Sequence, residues 1–262
     1  MIRFENVGMR YGMGPEVLRD VSFHLAPASF HFLTGPSGAG KTSLLKLMFL
    51  ANRPSRGLIT MFGQDIATLP RAELPPLRRR IGVVFQEFRL LDHLTTYENV
   101  ALPLKIQGKR EGEYRADVEE LLAWVGLGDR MNAKPPTLSG GEKQRVQFAR
   151  SIAQIWRRPG KSQSLPRYLL LDEPTSALDL RHQRMVLDIA RRLAGDGVGV
   201  LAAIHDLNLA IAYADDVILL REGRVLASGP VDEVMTSAGL GACFEVEVEI
   251  LTRENGSRAV LV

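Results

Sequence analysis

The chain has 262 residues, of which 45% are hydrophobic and 24% are charged, and its formal net charge is +3. These values are typical of a globular protein with one large or two small domains, and they exclude disordered and fibrous chains. So small an excess of positive charge does not require a nucleic-acid partner. The single cysteine, Cys243, excludes an intramolecular disulfide and a multi-cysteine zinc site, and we expect it to be a small buried residue.

Neither an export signal nor a membrane span is expected. The first thirty residues lack a basic segment followed by an apolar one. The longest apolar stretch, residues 197–220, is interrupted by polar and charged side chains such as His205, Asp206 and Asp215. The absence of cysteine pairs is compatible with a reducing compartment.

The predicted elements alternate between strands and helices. Apolar residues alternate with polar ones at Ile2 and Phe4, and a helix with one apolar face is predicted from Tyr114 to Val125, where Gly126 and Gly128 end it. In chain order we predict strands at residues 2–4, 17–25, 30–33, 81–85, 168–171, 198–204 and 217–220, and helices from residue 41, at 114–125, from about 142 and at 183–193. This order predicts an α/β fold, a largely parallel sheet with helices on both faces, preceded by N-terminal antiparallel strands.

The same pattern divides the chain into three regions. Residues 88–136 have a helical pattern between two strand-rich segments, and we expect a helical subdomain there. Residues 1–87 and 137–230 would form the α/β core. Residues 231–262 would form a small C-terminal extension.

A glycine-rich loop joins the third predicted strand to the first helix. Its sequence is Gly35-Pro36-Ser37-Gly38-Ala39-Gly40-Lys41-Thr42, which fits the phosphate-binding pattern G-x-x-x-x-G-K-[ST]. Small residues allow backbone N–H groups to surround the phosphates, and the helix N-terminus adds partial positive charge. Lys41 supplies a cation to the phosphates and Thr42 offers a hydroxyl to Mg²⁺. The loop therefore predicts a nucleotide site.

Two carboxylates follow the buried-strand sequence at residues 168–171. Pro174 stops the strand directly after Asp172 and Glu173, so both carboxylates can reach the same site only at the strand end. Asp172 is suited to hold Mg²⁺, and Glu173 is suited to orient or deprotonate an attacking water.

A second anion site is predicted about a hundred residues after the first. Leu138-Ser139-Gly140-Gly141-Glu142-Lys143-Gln144 places a hydroxyl and two glycines before a helix. A single nucleotide does not need both of these anion sites from the same chain. A symmetric head-to-tail dimer uses both, because each nucleotide then contacts the glycine-rich loop of one copy and the second anion site of the other.

These motifs, in this order, resemble the nucleotide-binding subunit of an ATP-binding cassette (ABC) transporter, and the resemblance covers nearly the whole chain. It implies an ABC-type P-loop ATPase core that binds ATP and Mg²⁺. Matched to the family's motifs, Tyr11 stacks on adenine, Gln86 senses Mg²⁺ and the membrane subunit, and His205 contacts the γ-phosphate. Residues 138–144 match the signature motif, and residues 176–179 match a loop that crosses the dimer interface.

The expected site residues have three roles. The catalytic residues are Glu173 and His205; the nucleotide-binding residues are Tyr11, Gly35, Pro36, Ser37, Gly38, Ala39, Gly40, Lys41, Thr42, Ser43, Gln86, Ser139, Gly140, Gly141, Glu142 and Asp179; the metal ligands are Thr42, Gln86 and Asp172. The resemblance also implies a homodimer around two Mg·ATP. Its other partner would be a permease-like membrane protein, reached from the cytoplasmic face of a bacterial inner membrane, and no nucleic acid is expected.

Below the family level, two resemblances divide the chain. Residues 1–146 are similar to cell-division ATPases of the FtsE type, particularly at residues 85–91 and 96–104. Residues 147–262 resemble haemin-import ATPases of the HmuV type at residues 147–150, 155–166, 177–182 and 205–210 and in the tail. A mosaic chain is one interpretation. The membrane partner could accordingly be a cell-division protein or a haemin permease.

Two functions of other classes stay open on the sequence. One is a nucleotide-dependent scaffold that regulates a membrane partner with little hydrolysis, which the complete set of Asp172, Glu173 and His205 disfavours. The other is an ATPase acting on DNA or ribosomes, which the absence of a clustered basic stripe disfavours.

Overall fold

The computed structural model describes residues 1–156, 165–176, 178–253 and 258–261. The helices are α1 (Lys41–Met48), α2 (Leu74–Arg78), α3 (Thr96–Ile106), α4 (Glu111–Trp124), α5 (Gly140–Ile155), α6 (Leu180–Gly195), α7 (Leu207–Tyr213), α8 (Val231–Val234) and α9 (Ser237–Phe244). The strands are β1 (Ile2–Arg10), β2 (Glu16–Leu25), β3 (Phe30–Thr34), β4 (Arg56–Met61), β5 (Gln64–Asp65), β6 (Ile81–Val84), β7 (Arg167–Asp172), β8 (Val198–Ala203), β9 (Asp216–Arg221), β10 (Arg224–Pro230), β11 (Glu249–Thr252) and β12 (Arg258–Leu261).

A six-stranded sheet in the order β10-β9-β3-β8-β7-β6 forms the centre of the fold. All its strands are parallel except β10, which is antiparallel to β9. A separate antiparallel sheet has the order β2-β1-β4-β5. The predicted α/β fold with N-terminal antiparallel strands is therefore confirmed. The carboxyl ends of β3, β7 and β8 lie at one edge, where ligands bind in such sheets.

The central sheet is buried on both faces. Along β7, Leu169 and Leu171 enter one apolar cluster, which includes residues of α3 to α6, while Tyr168 and Leu170 enter a second cluster with α1 and the antiparallel sheet. Because side chains alternate across a strand, continuous apolar sequence is needed to fill both clusters. This explains the unbroken apolar runs that predicted these strands.

The helical region packs α3 and α4 against α5. Tyr114 and Val118 are fully buried on α4, as the predicted apolar face requires. Gly126 ends the helix with φ +66°, and the following Leu127 N–H donates to the carbonyl of Leu122 at 2.8 Å. The helices share one apolar cluster with the central sheet. The limits of the subdomain at residues 88 and 136 stay a prediction.

Several elements begin or end at residues other than the predicted ones, and capping side chains explain two of these differences. Helix α6 begins at Leu180, not at residue 183, because the carboxylate of Asp179 accepts the His182 N–H at 2.9 Å. Helix α5 begins at Gly140 because Ser139 caps it. Strands β6 and β8 end one residue before the predicted limits, at Val84 and Ala203.

The C-terminal region contains elements that the periodicity did not predict, namely β10, α8, α9 and the hairpin of β11 and β12. Val234, Met235 and Leu240 are buried in the same apolar cluster as the central sheet. Cys243 is 1% exposed, which confirms the expectation of a small buried residue. The extension is thus packed onto the core.

His31 is a titratable side chain buried within β3, and only 3% of it is exposed. Its ring nitrogens have no hydrogen-bond partner among the described residues, and the Asp216 carboxylate lies 3.5 Å from Nε2. Burial lowers the pKa of His31, a direction that nearby His24 reinforces and that Asp216 and Asp215 oppose. The fold therefore favours the neutral ring.

We expect the folded state to lose stability as the pH falls below the His pKa of the unfolded chain, about 6.5. A base whose pKa is lowered by folding contributes its full stability above the unfolded value and loses it below, because the unfolded chain then binds more protons. The urea midpoint should fall between pH 7.5 and 5.5, and less so in His31→Leu. Exposed His24→Gln is the control. An equal fall in His31→Leu would contradict the assignment.

Candidate nucleotide-binding site

The loop between β3 and α1 packs closely against the end of β9. A Cβ added to Gly35 would lie 1.9 Å from the carbonyl oxygen of Leu220, so only glycine fits there. Gly40 has φ +106°, a left-handed conformation that favours glycine, and it precedes α1. No side chain caps α1, so its first N–H groups remain available to an anion. The loop has the backbone geometry that a phosphate group needs.

Lys41 lies inside this loop, and only 7% of it is exposed. Its Nζ donates to the carbonyl oxygens of Gly35, at 2.7 Å, and Pro36, at 3.0 Å. Burial lowers the pKa of Lys41, and the carboxylates of Glu173 and Asp172 oppose that shift. An ammonium group that is buried with only carbonyl partners is well placed to bind an anion.

Asp172 ends β7 and is buried next to the loop. Burial raises its pKa, and so does the charge of Glu173, while a hydrogen bond with the Thr42 side chain and the charge of Lys41 oppose the rise. A hydroxyl and a carboxylate are the oxygen ligands that Mg²⁺ prefers. No group of three or more His, Cys, Asp or Glu side chains in the described ranges could hold a metal, so phosphate and water would supply the other ligands. These residues fit Mg²⁺ together with a nucleotide.

Glu173 is the centre of a hydrogen-bonded group at the same edge of the sheet. Gln86 Nε2 donates to its Oε2 at 3.3 Å, and His205 Nε2 lies 2.8 Å from its Oε1. The carbonyl oxygen of Glu173 accepts from Gln144 Nε2 at 3.2 Å and from Ser176 Oγ at 3.1 Å. The structure therefore brings together three predicted residues from the ends of three strands.

The backbone of Glu173 is strained. Its φ is +50°, which is uncommon for a residue with a side chain. The Glu173 N–H donates to the carbonyl of Ala203 at 3.0 Å, so the last residue of β8 also holds the Glu173 backbone. These backbone hydrogen bonds stabilise Glu173 in this conformation.

Tyr11 follows β1 and lies beside the helix that begins at the phosphate loop. Its hydroxyl is 3.1 Å from Ser43 Oγ, and Lys46 Nζ lies 5.6 Å from the centre of its ring. The side chain is 45% exposed. An exposed aromatic ring at this position could receive a flat base, so stacking on adenine stays a prediction that the placement allows.

The signature residues form a separate group at the start of α5. Ser139 Oγ accepts the Glu142 N–H at 3.2 Å, and a Glu142 carboxylate oxygen accepts the Ser139 N–H at 2.8 Å. Arg130 pairs with the same carboxylate at 3.2 Å. Within the described chain, no hydrogen bond or ion pair joins these residues to the phosphate loop. One copy does not bring the two predicted anion sites together.

The predicted interface loop, residues 176–179, is described in part, because Ala177 lies outside the described residues. Asp179 caps α6 and also pairs with the ring of His182, at 2.8 Å. This arrangement lowers the pKa of Asp179, chiefly through the His182 backbone N–H. In this structure Asp179 therefore acts as the N-cap of α6, and its contact with a nucleotide stays a prediction.

Sequence reasoning missed two contacts of Glu173. Gln144 belongs to the signature motif but was not assigned to the site, although it is a polar residue on the buried side of α5, 4% exposed. A buried amide needs partners, which is the signal that could have identified it. The family resemblance includes Ser176 in the interface loop, but no local pattern indicates its bond to Glu173, which depends on the turn that follows β7.

A P-loop between a parallel strand and a helix, a buried lysine inside it, and a carboxylate with a hydroxyl beside it define a P-loop ATPase. The comparison with protein families agrees, since the profile described as ABC transporter matches residues 18–176. This chain belongs to the ABC transporter ATP-binding family. It is an ATP-hydrolysing enzyme that uses ATP and Mg²⁺.

Relatives with different roles match most of the chain. The cell division ATP-binding protein FtsE of Escherichia coli K12 is 42% identical over 225 residues, 86% of this chain and 97% of the relative. The methionine import ATP-binding protein MetN 1 of Rhodococcus jostii is 40% identical over 90% of this chain and 68% of the relative. The hemin import ATP-binding protein HmuV of Gloeobacter violaceus is 38% identical over 256 residues, 96% of this chain and 90% of the relative.

Solved structures have the same fold. An ATP-binding cassette dimer in a post-hydrolysis state with ADP and Pi has a TM-score of 0.79 and 32% identity, and the match covers 88% of this chain and 99% of that one. The protein cbiO1 from Clostridium perfringens, part of the ABC transporter complex cbiONQ, has a TM-score of 0.77 and 25% identity, over 91% of this chain and 92% of that one.

The comparisons leave the mosaic interpretation a prediction. The alignments with FtsE and HmuV are both longer than residues 1–146 or 147–262, so each kind of relative matches across the predicted junction. In the parts of the chain that the structure describes, no helix has both the length and the apolar character that crossing a bilayer requires.

Proposed function

We propose that this chain is the ATP-driven subunit of a membrane complex, in which two copies close around two Mg·ATP and act on a permease-like membrane protein. The observation that supports this proposal most strongly is that Gln86 and His205 hold the carboxylate of Glu173 beside the phosphate loop. A scaffold with little hydrolysis is not favoured, because the carboxylates of Asp172 and Glu173 and the ring of His205 all lie at this edge.

Within the proposal, each residue has a defined task in hydrolysis. The loop N–H groups and Lys41 bind the phosphates and offset the charge that develops on them. Thr42, Asp172 and Gln86 would hold Mg²⁺, which supplies further positive charge when bound. Glu173 orients and deprotonates the attacking water, and His205 contacts the γ-phosphate.

The signature residues complete the site of the other copy. Ser139, Gly140 and Gly141 begin α5, a 16-residue helix whose N-terminus favours an anion. Their separation from the phosphate loop within one chain supports a head-to-tail arrangement, and the dimeric cassette among the similar structures supports the formation of a dimer. In that arrangement Asp179 would lie near the interface.

A groove beside Gln86 is the proposed docking site for the membrane subunit. Its volume is about 460 Å³, and Phe85, Leu102 and Ile106 contribute apolar surface. Arg78 and Arg150 line it as well, and burial lowers the pKa of Arg150, whose Nη1 has the Arg89 carbonyl as its partner at 2.9 Å. The groove suits a short helix or loop that is apolar and carries a carboxylate.

The groove also favours one kind of partner. Most of its lining residues precede residue 146, in the segment that resembles cell-division ATPases, so we propose a cell-division permease-like protein as the partner. The hemin relative, which matches 96% of the chain, supports a haemin permease as the second candidate. Either partner would place the chain at the cytoplasmic face of a bacterial inner membrane.

Co-purification with tagged membrane proteins tests this proposal. The chain and Mg·ATP are offered in parallel to a cell-division permease-like protein, a haemin permease and a methionine permease. We expect capture by the first. Ile106→Asp, which changes a 68% exposed side chain in the groove, should abolish capture, whereas Leu226→Asp, on the distant β10, should not. Capture by the haemin permease alone would assign pairing to the C-terminal part, and capture by none would contradict the proposed partnership.

A further inference from the structure

Helix α7 follows His205 after one residue, Asp206, and its partly buried apolar side chains pack against the main apolar cluster. It has seven residues, of which Ala210 is the buried one. The Asp206 side chain caps it by accepting the N–H groups of Asn208, at 2.8 Å, and Leu209, at 3.2 Å. A helix this short is not stable alone, so contacts with other elements must fix its position. The position of α7 in turn fixes where the preceding segment places His205.

Beside this apolar packing, Asn208 joins the start of α7 to the C-terminal hairpin by two hydrogen bonds. Its Oδ1 accepts the Val260 N–H at 2.8 Å, and its Nδ2 donates to the Val260 carbonyl at 3.3 Å. Both backbone groups of Val260 therefore point towards Asn208 and away from β11. At the other end of the helix, the Tyr213 hydroxyl donates to Asp188 at 2.9 Å. Helix α7 is thus tied at both ends, and its start is tied to the C-terminal hairpin.

The hairpin is itself fixed to the core. Arg258 pairs with the Asp232 carboxylate at 3.3 Å and donates to the Val231 carbonyl at 3.4 Å. Val260 is 6% exposed and belongs to the main apolar cluster, as does Val248 just before β11. The antiparallel pairing of β11 with β12 connects these anchors. The described strands of the hairpin are therefore anchored on the core and can support α7.

We propose that Asn208 is a positioning residue for ATP hydrolysis, through which the C-terminal hairpin fixes α7 and so holds the His205 ring at the Glu173 carboxylate. The inference rests on the proposed roles of Glu173 and His205. Two of the sequence features that resemble haemin-import ATPases, residues 205–210 and the tail, meet in this contact. They form one structural unit, which a resemblance in sequence alone does not reveal.

Steady-state ATP hydrolysis by the full chain tests the inference. Asn208→Ala should lower kcat about tenfold, since a small misplacement of a reacting group is costly, with the KM for ATP within about twofold. Asn208→Asp should lose at least as much, because it sets a carboxylate oxygen against the Val260 carbonyl. Leu251→Ala, at a 42% exposed position on the same hairpin, is the control and should keep its kcat. Thermal unfolding of each variant checks that the assay temperature lies below its transition.

A double-mutant cycle separates positioning from a general loss of structure. In a His205→Ala background, Asn208→Ala should lower kcat no further, because the ring it positions is already absent. A kcat of Asn208→Ala within twofold of the unchanged chain would overturn the inference. So would a full additional loss in the His205→Ala background, or a change in KM alone. If His205→Ala itself retained full activity, the proposed role of His205 would fail instead, and this inference with it.

Discussion

Glu173→Gln is expected to slow ATP hydrolysis about 100-fold while ATP binding persists. The substitution keeps the shape of the side chain and the contact with His205 but removes the group that accepts a proton from water. Because the dimer would separate only after hydrolysis, the variant should accumulate as an ATP-bound dimer. Phosphate release and light scattering after size-exclusion chromatography measure the two effects.

A matched substitution shows whether the effect belongs to the site. Glu120→Gln changes an exposed glutamate on α4, away from the sheet edge, and should leave turnover and the monomer–dimer equilibrium unchanged. Unchanged turnover in Glu173→Gln would remove Glu173 from its proposed role. Slow turnover without a stable dimer would mean that the two copies can separate without hydrolysing ATP.

Lys41→Met should weaken ATP binding and hydrolysis together, with hydrolysis lowered about 100-fold or more. The ammonium group is the cation buried inside the phosphate loop, 2.7 Å from the Gly35 carbonyl oxygen and 3.0 Å from that of Pro36. Methionine keeps most of the apolar stem and loses the charge. Titration with a fluorescent ATP analogue gives the affinity, and phosphate release gives the rate.

Lys46→Met is the matched control, because Lys46 lies on the same helix and approaches the Tyr11 ring at 5.6 Å. Its cation–π contact is with the 45% exposed Tyr11 ring, so the affinity for ATP should change by about threefold at most. An equal loss in the two variants would mean that the charge of α1 as a whole, and not the loop lysine, binds the nucleotide.

Short-range sequence patterns predicted the parts of the site that lie at strand ends. The apolar runs fix where β3, β7 and β8 lie. Gly35 and Glu173 directly follow β3 and β7, and His205 lies two residues after the end of β8. Since parallel strands end at one edge of a sheet, these residues had to lie close together. Gln86, which follows β6 by two residues, was placed by the family resemblance, and its bond to Glu173 is consistent with that placement.

Contacts between distant segments could not be predicted in this way. Asn208 and Val260 are 52 residues apart, and the tail has neither a clear period nor a capping signal that would reveal the hairpin. Gln144 reaches Glu173 only because α5 packs beside β7. The composition of the groove next to Gln86 likewise depends on how α2, α3 and α5 pack. These features follow from tertiary packing and not from local pattern.

The central claim is that each ATP is held by the phosphate loop of one copy and the signature of the other. Complementation between two inactive variants tests it most directly. Lys41→Met destroys the loop function, and Ser139→Asp repels phosphate while keeping a good helix cap. In a mixed dimer, the loop of the Ser139→Asp copy meets the intact signature of the Lys41→Met copy.

The measurement is phosphate release by the two variants separately and mixed in equal amounts. The head-to-tail dimer predicts that the mixture hydrolyses ATP well above the sum of the separate rates, because each mixed dimer regains one complete site. A mixture no more active than that sum would contradict the composite site, and would mean that one chain contains everything its nucleotide needs.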